Sequence, residues 1–226
     1  MILAGSLAVS GTAAKACDLA LSFAVDVSSS IGEDEFRIQM DGLAAGLRDP
    51  VVSDALVRSQ AALMLMQWSG SGAQEISLPW RQVQSAGDVE ALAQSIELIK
   101  RSSQGSPTAI GEALLAAARA FDAAPDCSRR VLDLSGDGVS NEGRMPRYQQ
   151  AALESADITV NALVIETQFP GLTTYYEDNV ISGQQSFAVR AESFADYPIR
   201  MREKLYREVV FEMANWPDLI ERRVIQ

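Results

Sequence analysis

"CDLALSFAVDVSSSIGEDEF", residues Cys17 to Phe36, runs from a greasy segment straight into an aspartate and a row of hydroxyls. Its centre, "LALSFAV", reads as the end of a buried strand. A chain leaving the core usually turns on Gly or Pro, but this one leaves on Asp26, Ser28 and Ser30, spaced by two. While the backbone stays roughly extended, residues two apart point the same way. The three side chains are therefore expected to converge on one point above the sheet edge. Phe36, Met40, Leu43 and Leu47 then follow at helical spacing. The stretch is a strand, an oxygen-rich exit and a helix.

The alternation continues along the chain. Asp49 and Pro50 supply a cap and a first helical residue for a second, short helix. "AALMLMQW" and "QEISLPW" read as strands joined by the hairpin signal "SGSGA". "DVEALAQSIELIK" and the alanine-rich "TAIGEALLAAARAFDAA" read as helices, and "RRVLDLSG" as a buried strand. "RYQQAALESAD" is a helix, "ITVNALVI" the next strand and "SFAVRA" a final short strand. "ADYPIRMREKLYREVVFEMANW" is mostly a C-terminal helix. Helices alternating with mostly continuous apolar strands predict an α/β sheet covered on both faces.

In such a sheet, ligands bind outside the carboxyl ends of the strands, where strand order reverses. Two further segments carry suitable groups. "SGDGVSN" puts Asp137 at the end of the "RRVLDL" strand, and "SQGSPTAIGEAL" puts Thr108 at the start of a helix. Carboxylates and hydroxyls together make an all-oxygen set, which suits a hard divalent cation such as Mg²⁺ completed by waters.

Composition excludes much else. At 226 residues and 47% hydrophobic content, the chain can bury a substantial core in one domain. A formal net charge of −11 argues against nucleic acid and against an anionic membrane surface. With no histidine, neither Ser-His-Asp nor Cys-His machinery is possible, nor a His-based metal site. No GxxxxGK phosphate loop and no GxSxG elbow occurs.

The first 16 residues are apolar and end in Ala14-Lys15-Ala16, an A-x-A cleavage pattern, so 1–16 is expected to be a signal peptide. Cys17 and Cys127 each lie just before a strand. If those strands are parallel neighbours, both thiols sit at one edge of the sheet, where a bridge can form. The alternative is two unpaired buried thiols.

Taken together, Asp26-x-Ser28-x-Ser30, Thr108 and Asp137-Gly138 resemble the metal-ion-dependent adhesion site of von Willebrand factor A domains, in chain order and over roughly residues 18–210. More narrowly, "CDLALSFAVDVSSSI", "MQWSGS", "GSPTAIGEAL", "RRVLDLSGDGVSN" and "YYEDNVISG" are similar to a family of uncharacterised exported bacterial proteins built on such a domain. The resemblance implies a doubly wound, mainly parallel six-stranded sheet with one antiparallel edge strand and helices on both faces. It implies that the first strand lies beside the "RRVLDL" strand, which brings Cys17 and Cys127 together. Ser28 and Ser30 would be direct ligands, and Thr108 would switch between direct and water-mediated contact. Asp26 and Asp137 would hold the metal directly or through waters.

The expected function is a metal-dependent protein-binding module, not an enzyme, whose Mg²⁺ (or Mn²⁺ or Ca²⁺) takes a partner's Asp or Glu as last ligand. The domain would span 17–214, with a tail at 215–226, in a periplasmic or secreted protein. The alternatives are an assembly subunit of an envelope complex whose metal only orders loops, and a metal-dependent hydrolase. Each residue also has an ordinary use: Asp26 or Thr108 as a helix cap, the serines and Asp137 as turn residues. Glu33, Asp34 and Glu35 favour a helix start through its dipole. Ser140 and Asn141 read either as donors of hydrogen bonds to Asp137 from behind or, equally, as loop filler. Tyr175 and Tyr176 are candidate partner contacts; Trp68 and Trp80 fit core or edge packing.

Overall fold

A computed structural model of the chain describes residues 17–102 and 106–211. Both the expected signal peptide and the 215–226 tail lie outside the described residues. The strands are β1 (Cys17–Asp26), β2 (Ala62–Trp68), β3 (Gln74–Gln82), β4 (Cys127–Gly136), β5 (Ile158–Ile165) and β6 (Ala188–Ala191). They form one sheet in the order β3-β2-β1-β4-β5-β6, with β3 antiparallel and the other five parallel. The direction of winding reverses between β1 and β4, as the expected strand order requires.

Helices cover both faces. One layer holds α1 (Glu33–Leu47), α2 (Pro50–Arg58), α3 (Ala86–Glu97) and α7 (Tyr197–Tyr206); the other holds α4 (Ile110–Ala120), α5 (Gln150–Ser155) and α6 (Leu172–Asn179). Strand β1 explains the asymmetry. Its large residues Leu19, Leu21, Phe23 and Val25 belong to the first core, whereas Ala20 and Ala24 belong to the second, with Ala113 and Ala117 of α4. Small residues on both sides let α4 lie close to the sheet. Asp49 caps α2 by accepting from the Val51 and Val52 amides, and Pro50 follows as its first residue.

The first core also holds charge. Fully buried Lys204 of α7 meets Asp133 Oδ1 at 2.6 Å and Glu208 Oε1 at 2.5 Å. Asn161 Nδ2 donates to the same Glu208 oxygen at 3.0 Å, and Asn161 Oδ1 accepts from Phe187 N. A buried ion needs this density of partners to repay its desolvation.

At the amino edge of the sheet, Cys17 and Cys127 face each other in the β1–β4 register with Cα atoms 4.5 Å apart, and they are disulfide-bonded. At the outer edge, Pro79 sits in β3 where its register against β2 shifts between Leu63 and Leu65.

Candidate functional site

Strand β1 ends on Asp26, which is fully buried, and the chain then turns at once. Ser28 N donates to Asp26 Oδ1 at 2.7 Å and Ile31 N donates to Ser28 O at 3.0 Å. The serines therefore converge through a tight turn at residues 28–30, not through the extended strand geometry that the spacing implied. That turn is tied from both sides. Val27 N donates to Trp68 O, Ser29 N donates to Ser106 O at 2.8 Å, and the Arg101 guanidinium donates to the carbonyls of Val27 and Ser28. Helix α1 starts afterwards at Glu33 with Gly32 as its cap, so Asp26 caps nothing. Glu35 turns back onto Gly32 N at 2.6 Å, the helix-start role expected of that acidic run.

Strand β4 delivers Asp137 from the neighbouring position. Ser28 Oγ and Ser30 Oγ lie 3.2 Å apart, and Ser30 Oγ donates to Asp137 Oδ1 at 2.6 Å. Two carboxylate oxygens, Asp26 Oδ2 and Asp137 Oδ2, are buried there without a hydrogen-bond partner. Burial first, and then the charge of Asp137, pushes the Asp26 carboxyl up to about 7. Asp137 is also raised, by burial and more weakly by Glu35.

Gly136 precedes Asp137 for a steric reason. A Cβ on Gly136 would overlap the Tyr176 hydroxyl and lie 3.1 Å from Asp26 Oδ2.

Thr108 is buried in the loop before α4, and its Oγ1 stands 4.0 Å from where a Gly138 Cβ would be. It is not a helix cap, since Ala109 occupies that position. Thr108 N donates to Asn141 Oδ1 and Asn141 N donates to Thr108 O, both at 2.9 Å. Ser140 Oγ accepts from Ile110 N at 3.2 Å. Here the expectation needs correcting. Ser140 and Asn141 do not support Asp137; they lock the Thr108 loop onto the segment that follows it. An added Cβ on Gly111 would overlap Arg144 O, so the close approach of that segment to α4 depends on this glycine.

Two further groups at this end of the sheet carry no motif. Arg101 holds the serine turn, and Tyr176, fully buried, donates to Gly138 O at 3.2 Å. Tyr176 is thus an interior residue, whereas Tyr175 is half-buried and its hydroxyl accepts from Ser140 N. Trp68 is buried with its indole donating to Ala24 O, and Trp80 donates to Ala120 O.

Among the described residues no group of three or more His, Cys, Asp or Glu side chains is clustered to hold a metal. Ser28 and Ser30 adjoin Asp137, and Thr108 is placed only by its hydroxyl standing 4.0 Å from where a Gly138 Cβ would be. Buried carboxylate oxygens without a hydrogen-bond partner, beside hydroxyls, fit a hard cation and suit a soft one poorly.

A family model described as "Protein of unknown function (DUF1194)" matches residues 16–213. The chain belongs to that family. Comparison with curated protein sequences gives no match. Among solved structures, the proximal thread matrix protein 1 of the mussel byssus is 20% identical with a TM-score of 0.65, over 84% of this chain and 47% of that one. One form of that protein has a zinc-occupied metal-ion-dependent adhesion site motif. A von Willebrand factor type A protein from Catenulispora acidiphila is 18% identical with a TM-score of 0.60, over 85% of this chain and 43% of that one. The pilus adhesin SpaC from Lactobacillus rhamnosus GG is 14% identical with a TM-score of 0.62, over 88% of this chain and 31% of that one. The chain spans about half the length of these solved chains, or less. The DUF1194 chain therefore has the von Willebrand factor A fold.

Proposed function

We propose that the exits of β1 and β4 and the loop before α4 form a divalent-cation site, which a protein partner completes with an Asp or Glu carboxylate. Ser28, Ser30 and Thr108 would supply hydroxyl ligands, and Asp26 and Asp137 would bind directly or through water. One observation carries this reading: Asp26 Oδ2 and Asp137 Oδ2 are both buried and both without a partner. Carboxylates so placed are costly unless positive charge meets them.

When bound, a cation supplies an electrophilic centre with room for a ligand from outside. The chain's own groups set how electrophilic that centre stays. Where Asp26 and Asp137 bind through water, the direct ligands are the three neutral hydroxyls, which leave the ion's charge uncompensated at contact distance, so an incoming carboxylate is the favoured last ligand. Mg²⁺ is the expected ion, with Mn²⁺ and Ca²⁺ as competitors. The zinc held by the mussel protein supports a divalent ion in general, not one in particular.

The reading is recognition without turnover. Asp26, with its raised pKa, is fully buried and so is poorly placed to take a proton from a substrate. A purely loop-ordering ion is disfavoured too, because protein hydrogen bonds already join the three loops: Ser29 N to Ser106 O, Thr108 to Asn141, and Ser30 to Asp137. A periplasmic or secreted setting is supported by the disulfide. No helix among the described residues is long and apolar enough to cross a membrane.

The test is capture from an envelope extract in Mg²⁺ and in EDTA, with Asp137→Ala as control. A partner retained only by the unsubstituted chain in Mg²⁺ is expected. Capture indifferent to both chelation and substitution would overturn the reading.

A further inference from the structure

Helix α6 is built around two adjacent tyrosines whose hydroxyls reach the same short segment. Tyr176 Oη donates to Gly138 O at 3.2 Å, and Tyr175 Oη accepts from Ser140 N at 3.2 Å. These bonds engage the backbone on either side of Val139, one and three residues beyond Asp137. The rings pack edge to face with centroids 6.0 Å apart.

The helix itself is anchored. Glu166, just beyond β5, accepts from Gly171 N at 2.8 Å, Thr173 N at 3.0 Å and Thr173 Oγ1 at 2.6 Å. It takes the place of the local cap that Gly171, in the left-handed region at φ 83°, has no side chain to provide. At the other end, Asn179 Nδ2 donates to Tyr175 O at 2.9 Å. From the far side, the Thr108 loop grips Ser140 and Asn141. The segment after Asp137 is thus held between α6 and the loop that carries Thr108.

We infer that Tyr175 and Tyr176 are positioning residues: their hydroxyls fix the 138–140 backbone and thereby set where Asp137 stands and how tightly the site holds its cation. This rests on the cation-site reading above. Tyr176 fits the role in a second way. Its hydroxyl fills the space a side chain at Gly136 would need, beside the unpartnered Asp26 Oδ2.

The experiment compares the full chain with Tyr176→Phe, Tyr175→Phe and the double variant. Phe keeps the ring and the core packing and removes only the hydroxyl. Two measurements are made: Mg²⁺ and Mn²⁺ affinity by calorimetry, and amide exchange of residues 138–141 in EDTA. Expected are a dissociation constant raised about tenfold by Tyr176→Phe and faster exchange at Ser140 in Tyr175→Phe. Thermal midpoints in EDTA should fall only by the loss of these hydrogen bonds. Tyr176→Leu adds a split, losing the packing of the ring as well as affinity, where Phe keeps the packing alone. Unchanged affinity in the double variant overturns the positioning role, whatever its stability. If the unsubstituted chain takes up no divalent ion, the cation reading fails first. Exchange in EDTA then decides separately whether the tyrosines hold the loop, and wild-type rates in the double variant overturn that as well.

Discussion

Ser30 Oγ donates a 2.6 Å hydrogen bond to Asp137 Oδ1 across 107 residues of sequence, joining the exit of β1 to the exit of β4. Hydrogen bonds to a charged group are worth more than neutral ones, and removing the donor leaves a buried acceptor exposed to the full desolvation cost. Ser30→Ala is expected to lower unfolding free energy in EDTA by about 1–2 kcal/mol, read from urea denaturation. It should also weaken Mg²⁺ uptake at least tenfold by calorimetry, in proportion to a lost ligand. Uptake unchanged by the substitution would remove Ser30 from the ligand set.

Asp26 has the opposite sign. Its folded pKa of about 7 stands above the ordinary 3.8, with Asp137 and the Tyr176 phenol as its charged and polar neighbours. The folded chain keeps a proton that the unfolded chain releases, so stability from this group is complete below pH 4 and is lost as pH rises through 7. In EDTA, Asp26→Asn should therefore be more stable than the unsubstituted chain at pH 8, by on the order of 3 kcal/mol, and no more stable at pH 4. The same variant should gain nothing from added Mg²⁺. Equal midpoints at pH 8 would mean the carboxylate is not strained by its surroundings.

Glu166 behaves as a conventional acid. Hydrogen bonds from the Thr173 hydroxyl and from the Thr173 and Gly171 amides hold its carboxyl down at about 2, from 4.5. Its contribution is present above pH 4.5 and disappears as pH falls through 2. Glu166→Gln should cost about 1–2 kcal/mol at pH 7 and almost nothing near pH 2, which a series of thermal or urea melts can follow. A gap that does not close in acid would place the effect in packing, not in charge.

The Cys17–Cys127 bridge closes a loop of 110 residues. On the entropic model such a loop is worth about 4–5 kcal/mol. Reduction, or the Cys17→Ser/Cys127→Ser pair, should lower the denaturation midpoint accordingly while leaving cation affinity nearly intact, since the bond lies at the opposite end of β1 and β4. Loss of cation uptake on reduction would show that the two ends are not independent.

The strands were legible in the sequence itself, while the adjacency of β1 and β4, and with it the Cys17–Cys127 pairing, followed from the family resemblance. Apolar runs of strand length punctuated by glycine carry the sheet, and oxygen donors at strand exits carry the site. Other features were illegible for identifiable reasons. Helix α6, "LTTYYEDN", lacks an apolar stripe, is rich in residues of middling helix propensity and takes its cap from Glu166, outside the helix. Ser28 and Ser30 were read by strand alternation, but the Asp26 side chain captures Ser28 N and folds the exit into a turn. Lys204 in "REKLYRE" has the pattern of a solvated face. Only tertiary contacts with Asp133 and Glu208 reveal that it is buried. Ser140 and Asn141 follow Asp137 closely in sequence, yet they bind across to Thr108. Proximity along the chain identified the residues and misassigned their partner.

Pro79 has a consequence beyond its own strand. It lacks an amide hydrogen and lies in the irregular stretch of β3, at the free margin of the sheet. That margin is a poor template for another molecule's backbone. Pairing of another strand along β3 is interrupted at Pro79, so two copies gain little by joining edge to edge there.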